Sequence, residues 1–372
     1  MKKIGLVCTT IGDGGFLNSY CAEISAAGLT RDVTVYVIAD KKSPTALWGN
    51  ASRLRSEFQV ECVNLHDQES YLTRLGLNDI IPWNSDNRRN IGYLRALEDG
   101  CETIISIDDD NFVIPNTGFF ASHSRVGELE ELREIEVVNG WYNVCKNYLS
   151  LEDYPRGFPY YARRAGEFRP FTEKVKKIIA VNQGMWVGDP DIDALSWVKN
   201  PETKVGWAVN TNPSFQIGEG TWLPINSQNT AVWSKAIPAY YFIPMGVVIN
   251  GWKMDRMGDI FQGYFLEKCV KTLRHGIAVG QPFVHHARNT HNHLEDITKE
   301  LPGIKILEEL LPWLQEAKIT NHSYNAAYQD LSQQLDWAVE RSSFKFDDAT
   351  RAYFHRVTFC MREWLKACRM VG

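Results

Sequence analysis

The 372-residue sequence has no excess of basic charge: 40 Lys and Arg stand against 45 Asp and Glu, a net charge of −5. Charge-driven binding to nucleic acid or to an acidic membrane surface is therefore not expected. No segment reaches eighteen consecutive apolar residues, so no membrane span is expected. The apolar run Ile4–Cys8 after Met1-Lys2-Lys3 is too short for a signal peptide. None of the eight cysteines forms a C-x-x-C pair, and several lie in apolar runs. A zinc site and a disulfide framework are poorly supported, and the cysteines read as reduced core residues of a cytoplasmic protein. There is no internal repeat and no low-complexity tract. What remains is ordinary globular composition, 44% hydrophobic and 23% charged, with a high aromatic content that includes 12 Trp and suggests stacking surfaces.

The first hundred residues alternate strand and helix signals. Strands are read at 4–8, 33–39, 59–64 and 103–107, and helices at 45–57 and 87–99. Short apolar strands alternating with helices predict an α/β fold with a mostly parallel, Rossmann-like sheet flanked by helices. Ligands of such sheets bind beyond the carboxyl ends of the strands. Thr9-Thr10, Asp40 and Asp108-Asp109-Asp110 all fall there. Residues 111–225 read as loops and short strands forming the acceptor side of a cleft. A helix at 258–274 and a strand at 276–284 follow. From 294 onward, apolar residues at helical spacing predict a C-terminal helical extension, giving a division into 1–293 and 294–372.

The acidic triplet is the sharpest feature. Three carboxylates ending an apolar strand repel one another unless a cation sits among them or water solvates them. Hard oxygen ligands suit Mg²⁺ or Mn²⁺, with diphosphate oxygens completing the shell; a solvated acidic turn is the other reading. Arg89, opening a helix, suits phosphate by paired hydrogen bonds; a basic turn is the alternative. Arg156-Gly-Phe-Pro-Tyr-Tyr-Ala-Arg163-Arg164 places aromatics to flank a sugar and arginines to meet a pyrophosphate, or forms a basic surface loop. Four histidines occur between His285 and His293, of which one at most is expected to ligate a metal. Asp259, at a helix start, is either a first-turn acid or a group projecting into the cleft. Together these parts suggest nucleotide-sugar chemistry.

In this order the motifs resemble the reversibly glycosylated polypeptides, the plant UDP-arabinopyranose mutase family, and more broadly GT-A glycosyltransferases. The resemblance runs from Lys3 to about Ile304. It rests on Ile-Asp108-Asp109-Asp110, Arg89-Asn-Ile-Gly92-Tyr93, Arg156-Gly-Phe-Pro-Tyr-Tyr-Ala-Arg163, Gly184-Met-Trp186-Val-Gly-Asp189-Pro-Asp191-Ile-Asp193-Ala, Gly258-Asp259-Ile-Phe-Gln-Gly263-Tyr and Pro282-Phe-Val-His-His286-Ala-Arg288. It implies a GT-A fold. It also implies that Arg156 is the arginine that becomes reversibly glycosylated and Arg163 a second arginine needed for activity. Asp108, Asp110 and His286 would hold Mn²⁺ or Mg²⁺, and Thr9, Thr10, Asp40, Arg89, Asp108, Asp109, Trp186 and Asp189 the nucleotide sugar. Asp259 would be a base or a sugar-orienting acid. Gly258 replaces the first of the family's two acids, and Asn182-Gln183 and Val187-Gly188 also depart from its pattern.

Three functions follow as expectations. The first is a metal-dependent glycosyltransferase using a nucleotide sugar, a UDP-sugar, on an acceptor such as a surface glycan. The second is a UDP-sugar pyranose/furanose mutase with self-glycosylation on arginine. The third is a non-catalytic subunit that keeps the fold. The helical extension is expected to cover the cleft, contact a partner or mediate homo-oligomerisation.

Overall fold

The computed structural model describes residues 2–138, 140–164 and 171–372. The chain opens with β1 (Ile4–Thr10), α1 (Leu17–Ala26), β2 (Val33–Ala39), α2 (Thr45–Leu54), β3 (Gln59–Val63), α3 (Leu65–Leu75), α4 (Arg89–Glu98) and β4 (Thr103–Ile107). β3, β2, β1 and β4 lie side by side and pair in parallel. β1, β2 and β4 are built mainly of apolar residues buried on both faces, which is why their pattern is continuous, whereas the edge strand β3 carries exposed Gln59 and half-buried Glu61. α1 and α3 are absent from the sequence reading. α3 is marked by an Asn64 side chain that accepts from Asp67 N and by left-handed Gly76 at its end.

Next come β5 (Asn111–Val113), α5 (Phe119–His123), β6 (Leu129–Glu136), α6 (Val144–Asn147), β7 (Phe171–Gly188), α7 (Ala194–Lys199), β8 (Phe215–Ile217) and β9 (Asn229–Trp233). The hairpin β10 (Val247–Ile249) and β11 (Trp252–Met254) leads into α8 (Gly258–Thr272) and β12 (Gly276–His286). The ten-stranded sheet runs β3-β2-β1-β4-β9-β7-β6-β8-β12-β5. Beyond β4 it also contains antiparallel pairs.

The 18-residue β7 is the largest element that the expectation of loops and short strands over 111–225 misses. Its first half is charged and faces β6, with Glu130 opposite Lys177 and Glu131 opposite Lys176. Lys177 Nζ lies 2.5 Å from Glu134 Oε2. Only from Ile178 onward does it become an apolar central strand.

The extension consists of α9 (His293–Glu316), α10 (Tyr324–Glu340) and α11 (Asp348–Val371), the helical tail expected from spacing. α9 buries Ile306, Leu307, Leu310, Leu311 and Leu314 on one face. α10 and α11 pack on each other, α10 reaching α8 and α11 reaching α4. Among the described residues no helix is long and apolar enough to cross a membrane. All eight cysteines are free and buried. Five of the twelve tryptophans, Trp141, Trp186, Trp197, Trp222 and Trp364, are core residues, and Trp48, Trp233 and Trp313 pack against the core. The aromatic content therefore serves packing more than an exposed stacking surface.

Candidate functional site

Two neighbouring cavities open at the carboxyl ends of β1 and β4. One, of about 170 Å³, is lined by Thr9, Thr10, Asp40, Ser85, Arg88 and Asp109 among others. The second, of about 180 Å³, holds Arg89, Asp108, Asp110, Arg156, Asp259 and His286. Asp86 belongs to both linings. The parallel block thus delivers Thr9, Thr10, Asp40 and the triplet to one edge, where the sheet topology locates ligands.

In the first cavity Thr10 Oγ1 donates to Asp109 Oδ2 at 2.5 Å. Asp40 accepts from the backbone N–H groups of Lys41 at 2.6 Å and Ser85 at 3.2 Å. These bonds fix both acids against the walls.

In the second cavity Arg89 is not a free phosphate ligand. Its Nη2 donates to Asp108 Oδ1 at 2.5 Å and Thr9 Oγ1 at 3.2 Å, and its Nη1 donates to Ser106 Oγ at 3.0 Å and to Ser227 Oγ at 2.7 Å. Burial favours losing its proton, but the Asp108 carboxylate more than offsets this and holds the guanidinium firmly cationic. Asp108 is thereby committed through one oxygen.

Asp110 pairs differently. Its Oδ2 lies 3.5 Å from His286 Nε2. His286 Nδ1 is 2.7 Å from the Asp189 carbonyl, so Nδ1 carries a proton and Nε2 faces the acid. Burial pulls the His286 pKa down, yet the Asp110 carboxylate raises it above its ordinary value overall. Burial likewise disfavours the Asp110 charge, but the imidazole keeps its pKa below the usual range. When the imidazole is neutral, two lone-pair donors converge here, a geometry a divalent cation can share. Among the described residues no three His, Cys, Asp or Glu side chains are already arranged as a ligand set. A cation held by Asp110 and His286 would therefore draw its remaining ligands from the second oxygen of Asp108, from substrate or from water.

Arg156 is the most constrained group. Nε donates to Asp191 Oδ1 at 2.8 Å and Nη2 to Asp191 Oδ2 at 3.1 Å. Nη1 and Nη2 donate to the two oxygens of Asp259, each at 2.9 Å. Nη1 also donates to the Arg256 carbonyl. All five N–H groups are used. Burial alone would favour the neutral form, but the two carboxylates hold its pKa well above the ordinary value. Burial also opposes ionisation of Asp191, whose pKa is nevertheless depressed by Arg156.

Three predicted site residues do not line these cavities. Arg163 lies behind the wall, donating to Asp193 and stacking on Tyr160 at 3.7 Å and Tyr154 at 4.5 Å. Of the aromatics expected to flank a sugar, Tyr160 is thus occupied by this arginine, while Phe158 and Tyr161 pack against Trp141; the Arg164 side chain lies outside the described residues. Trp186, on β7, is 2% exposed within the core. Asp189 meets Lys204 and accepts from Arg288 N at 3.1 Å, so it touches the site through its carbonyl on His286. Of the histidines, His285 stacks on Trp207 and His293 on Trp197, while His286 and His291 line the second cavity.

The structure also brings in residues the sequence reading did not assign: Asp86, Asp191, Phe242, Asp255, Arg256 and Arg288. Asp191 was legible, since it lies in a quoted motif. Phe242 was not. Its backbone is fixed by Asn90, whose Oδ1 accepts from Phe242 N at 3.0 Å and whose Nδ2 donates to its carbonyl at 2.9 Å. A Cβ at Gly258 would overlap the Phe242 ring and come within 3.0 Å of Met245 Cγ. The acid expected before Asp259 is thus absent together with the space for it.

The chain is similar to several known proteins. UDP-arabinopyranose mutase 1 of Arabidopsis thaliana is 26% identical over 283 residues, 75% of this chain and 71% of that protein. UDP-arabinopyranose mutase 1 of Oryza sativa subsp. japonica is 24% identical over 282 residues, 75% of this chain and 70% of that protein. Among solved structures, S. aureus TarS 1-349 in complex with UDP-GlcNAc has a TM-score of 0.45 at 11% identity, covering 95% of this chain and 79% of that one. Glucosyl-3-phosphoglycerate synthase from Mycobacterium tuberculosis in complex with Mn²⁺, UDP and phosphoglyceric acid has a TM-score of 0.41 at 12% identity, covering 84% and 78%. The sequence profile described as "Reversibly glycosylated polypeptide" matches residues 37–372, so the match takes in the helical extension, beyond the end at about Ile304 that the motifs suggest. The chain belongs to the reversibly glycosylated polypeptide family.

Proposed function

We propose that the protein is an enzyme that takes a nucleotide sugar, specifically a UDP-sugar, and breaks its sugar–phosphate bond in the second cavity. The observation that carries this is the charge arrangement there. Arg89 and Arg156 are matched by Asp108, Asp191 and Asp259, and Asp255 pairs with Lys253 at 3.2 Å, while Asp86 and Asp110 also line the space without an arginine partner among the described residues. The nucleoside would sit in the first cavity against Thr10 and Asp40. The diphosphate would pass Asp86 into the second. Asp110 and His286, with the second oxygen of Asp108, would hold Mn²⁺ or Mg²⁺, and the cation would neutralise charge on the diphosphate. Family membership and the names of the curated relatives support the donor class.

The first reading is transfer to an external acceptor, such as a surface glycan, by a GT-A-type catalytic unit. Its support is the state of Arg156. A nucleophile needs an available lone pair, whereas this guanidinium is cationic and hydrogen-bonded on every N–H. It would act as a fixed positive group beside the leaving phosphate. Asp259, with both oxygens on Arg156, would orient the sugar rather than take a proton.

The second reading is a UDP-sugar pyranose/furanose mutase. It is favoured by the mutase names of the relatives and by the two carboxylates on Arg156, either of which is placed to accept a guanidinium proton as a sugar joins nitrogen. Incubation with radiolabelled UDP-arabinopyranose separates the two. UDP release without label on the protein is the expected result. A furanose product with label mapped to Arg156 would establish the mutase reading instead. No turnover of any nucleotide sugar would leave the non-catalytic subunit.

A further inference from the structure

We propose that α9 is part of the site: Asp296 and Glu300 are positioning residues that aim Arg256 and Arg288 at a phosphate group of the substrate. The substrate's identity rests on the nucleotide-sugar reading above; the presence of an anion site does not.

Both acids are deeply buried, Glu300 at 1% and Asp296 at 3% exposure. A buried carboxylate must find donors. Glu300 Oε1 accepts from Arg256 Nε at 3.0 Å and Oε2 from Ala194 N, the first residue of α7, at 2.9 Å. Asp296 Oδ2 accepts from Arg288 Nη2 at 3.2 Å and lies 3.0 Å from His291 Nδ1. A third link is backbone: Asp255 N donates to the Lys299 carbonyl at 2.9 Å. One helix thereby grips the 255–256 turn, the start of α7 and the segment after β12.

Arg256, Arg288 and His291 line the second cavity together with Asp110 and His286. Among the described residues, Asp296 and Glu300 are the carboxylates paired with the two arginines, and both belong to α9. The Arg288 side chain is 9% exposed and its Nη1 has no hydrogen-bond partner. Burial and the neighbouring Arg256 charge both press the Arg288 pKa down. Two crowded guanidiniums at a cavity wall suit a phosphate, which accepts paired hydrogen bonds and relieves their repulsion.

The same turn reaches Arg156. Arg256 has φ 64°, a left-handed conformation uncommon for a non-glycine residue, and in it presents its carbonyl to Arg156 Nη1. The Glu300 bond to the Arg256 side chain helps to hold that turn, so α9 is linked to the central clamp.

A phosphate could come from the donor's diphosphate or from a phosphorylated acceptor. The test uses the full chain as wild type, Glu300→Gln, Glu300→Asp and Arg288→Gln, with calorimetric titration of inorganic pyrophosphate, UDP and uridine. Removing one charge-assisted contact predicts roughly 10- to 100-fold weaker pyrophosphate binding in Glu300→Gln and Arg288→Gln. Partial recovery is expected in Glu300→Asp, with uridine binding unchanged. UDP affinity falling in parallel assigns the phosphate to the donor. UDP affinity unchanged while pyrophosphate is lost assigns it to the acceptor. If no protein binds UDP but pyrophosphate is still lost in the variants, the anion site stands and the UDP-sugar reading falls. Arg288→Gln leaves the Glu300 bonds in place and reports the loss should Glu300→Gln not fold. Equal pyrophosphate binding by wild type and variants, or none by wild type, overturns the proposal.

Discussion

The two ends of β4 carry opposite kinds of space. Beyond its carboxyl end lies the cavity of about 180 Å³ that gathers six aspartates, four arginines and two histidines. Beside its amino end, between β9 and the ends of α10 and α11, lies a far larger cleft of about 770 Å³. That cleft is lined chiefly by groups such as Leu97, Trp233, Leu273 and Tyr324. Two of its polar groups are engaged locally: His275 Nδ1 is 2.7 Å from the Tyr324 hydroxyl, and Lys235 lies over the Trp233 ring at 4.8 Å. Under the proposed function, volume does not locate the chemistry in this fold. Charge concentrated against its desolvation cost does, because such an arrangement persists only where partners or a ligand compensate it.

The sharpest break of this contrast is Asp110→Ala. It should lower nucleotide-sugar turnover by about 100-fold or more with little loss of melting temperature, whereas Trp233→Ala at the other end should leave turnover within about twofold. Steady-state assays and melting curves on both variants check this.

Arg156→Ala comes next. It strands two buried carboxylates, and an unpaired buried charge costs about 3–5 kcal/mol. Arg163→Ala should cost less, because Asp193 also bonds the Tyr160 hydroxyl at 3.2 Å and Ser196 N at 2.7 Å. Urea denaturation of the two variants gives the order directly, and a larger loss at Arg163 would reverse it.

A smaller effect separates the charged site from a charge buried in α8. Burial pushes the Glu267 carboxyl up to about 8 from 4.5, with Lys271 at 3.6 Å only partly offsetting it. A raised folded-state pKa means that its stabilising contribution is complete below about pH 4.5 and is lost as pH climbs through about 8. Glu267→Gln should therefore gain stability relative to wild type as pH rises from 5 to 8, by a few degrees in melting temperature. A pH-independent gap between the two melting curves would contradict this.

Much of the architecture was legible because the parallel block and the tail obey simple periodicities. β1, β2 and β4 are continuous apolar runs, and α9 repeats Leu at helical spacing. β7 was not, because its charged first half owes its strand state to Glu–Lys pairing with β6, a partner the local sequence does not show. In the site, Asp110 and His286 face each other as their motifs suggest. The resemblance assigns Arg163 and Trp186 to the site, yet Arg163 turns back onto tyrosines and Trp186 into the sheet. Arg256 and Glu300 escaped notice because their association is a tertiary contact between residues 44 positions apart. Phe242 escaped because its role depends on the absent side chain at Gly258.

The most direct test is a panel of UDP-, GDP-, dTDP- and CMP-sugars, each with and without Mn²⁺, read by thermal shift and hydrolysis on wild type and Asp110→Ala. A ligand bound to the folded state raises its stability. The account predicts a Mn²⁺-dependent shift with the UDP-sugars that Asp110→Ala abolishes. An equal response in both proteins, or none to any nucleotide, would contradict the claim that the cavity beyond β4 binds and cleaves a nucleotide sugar.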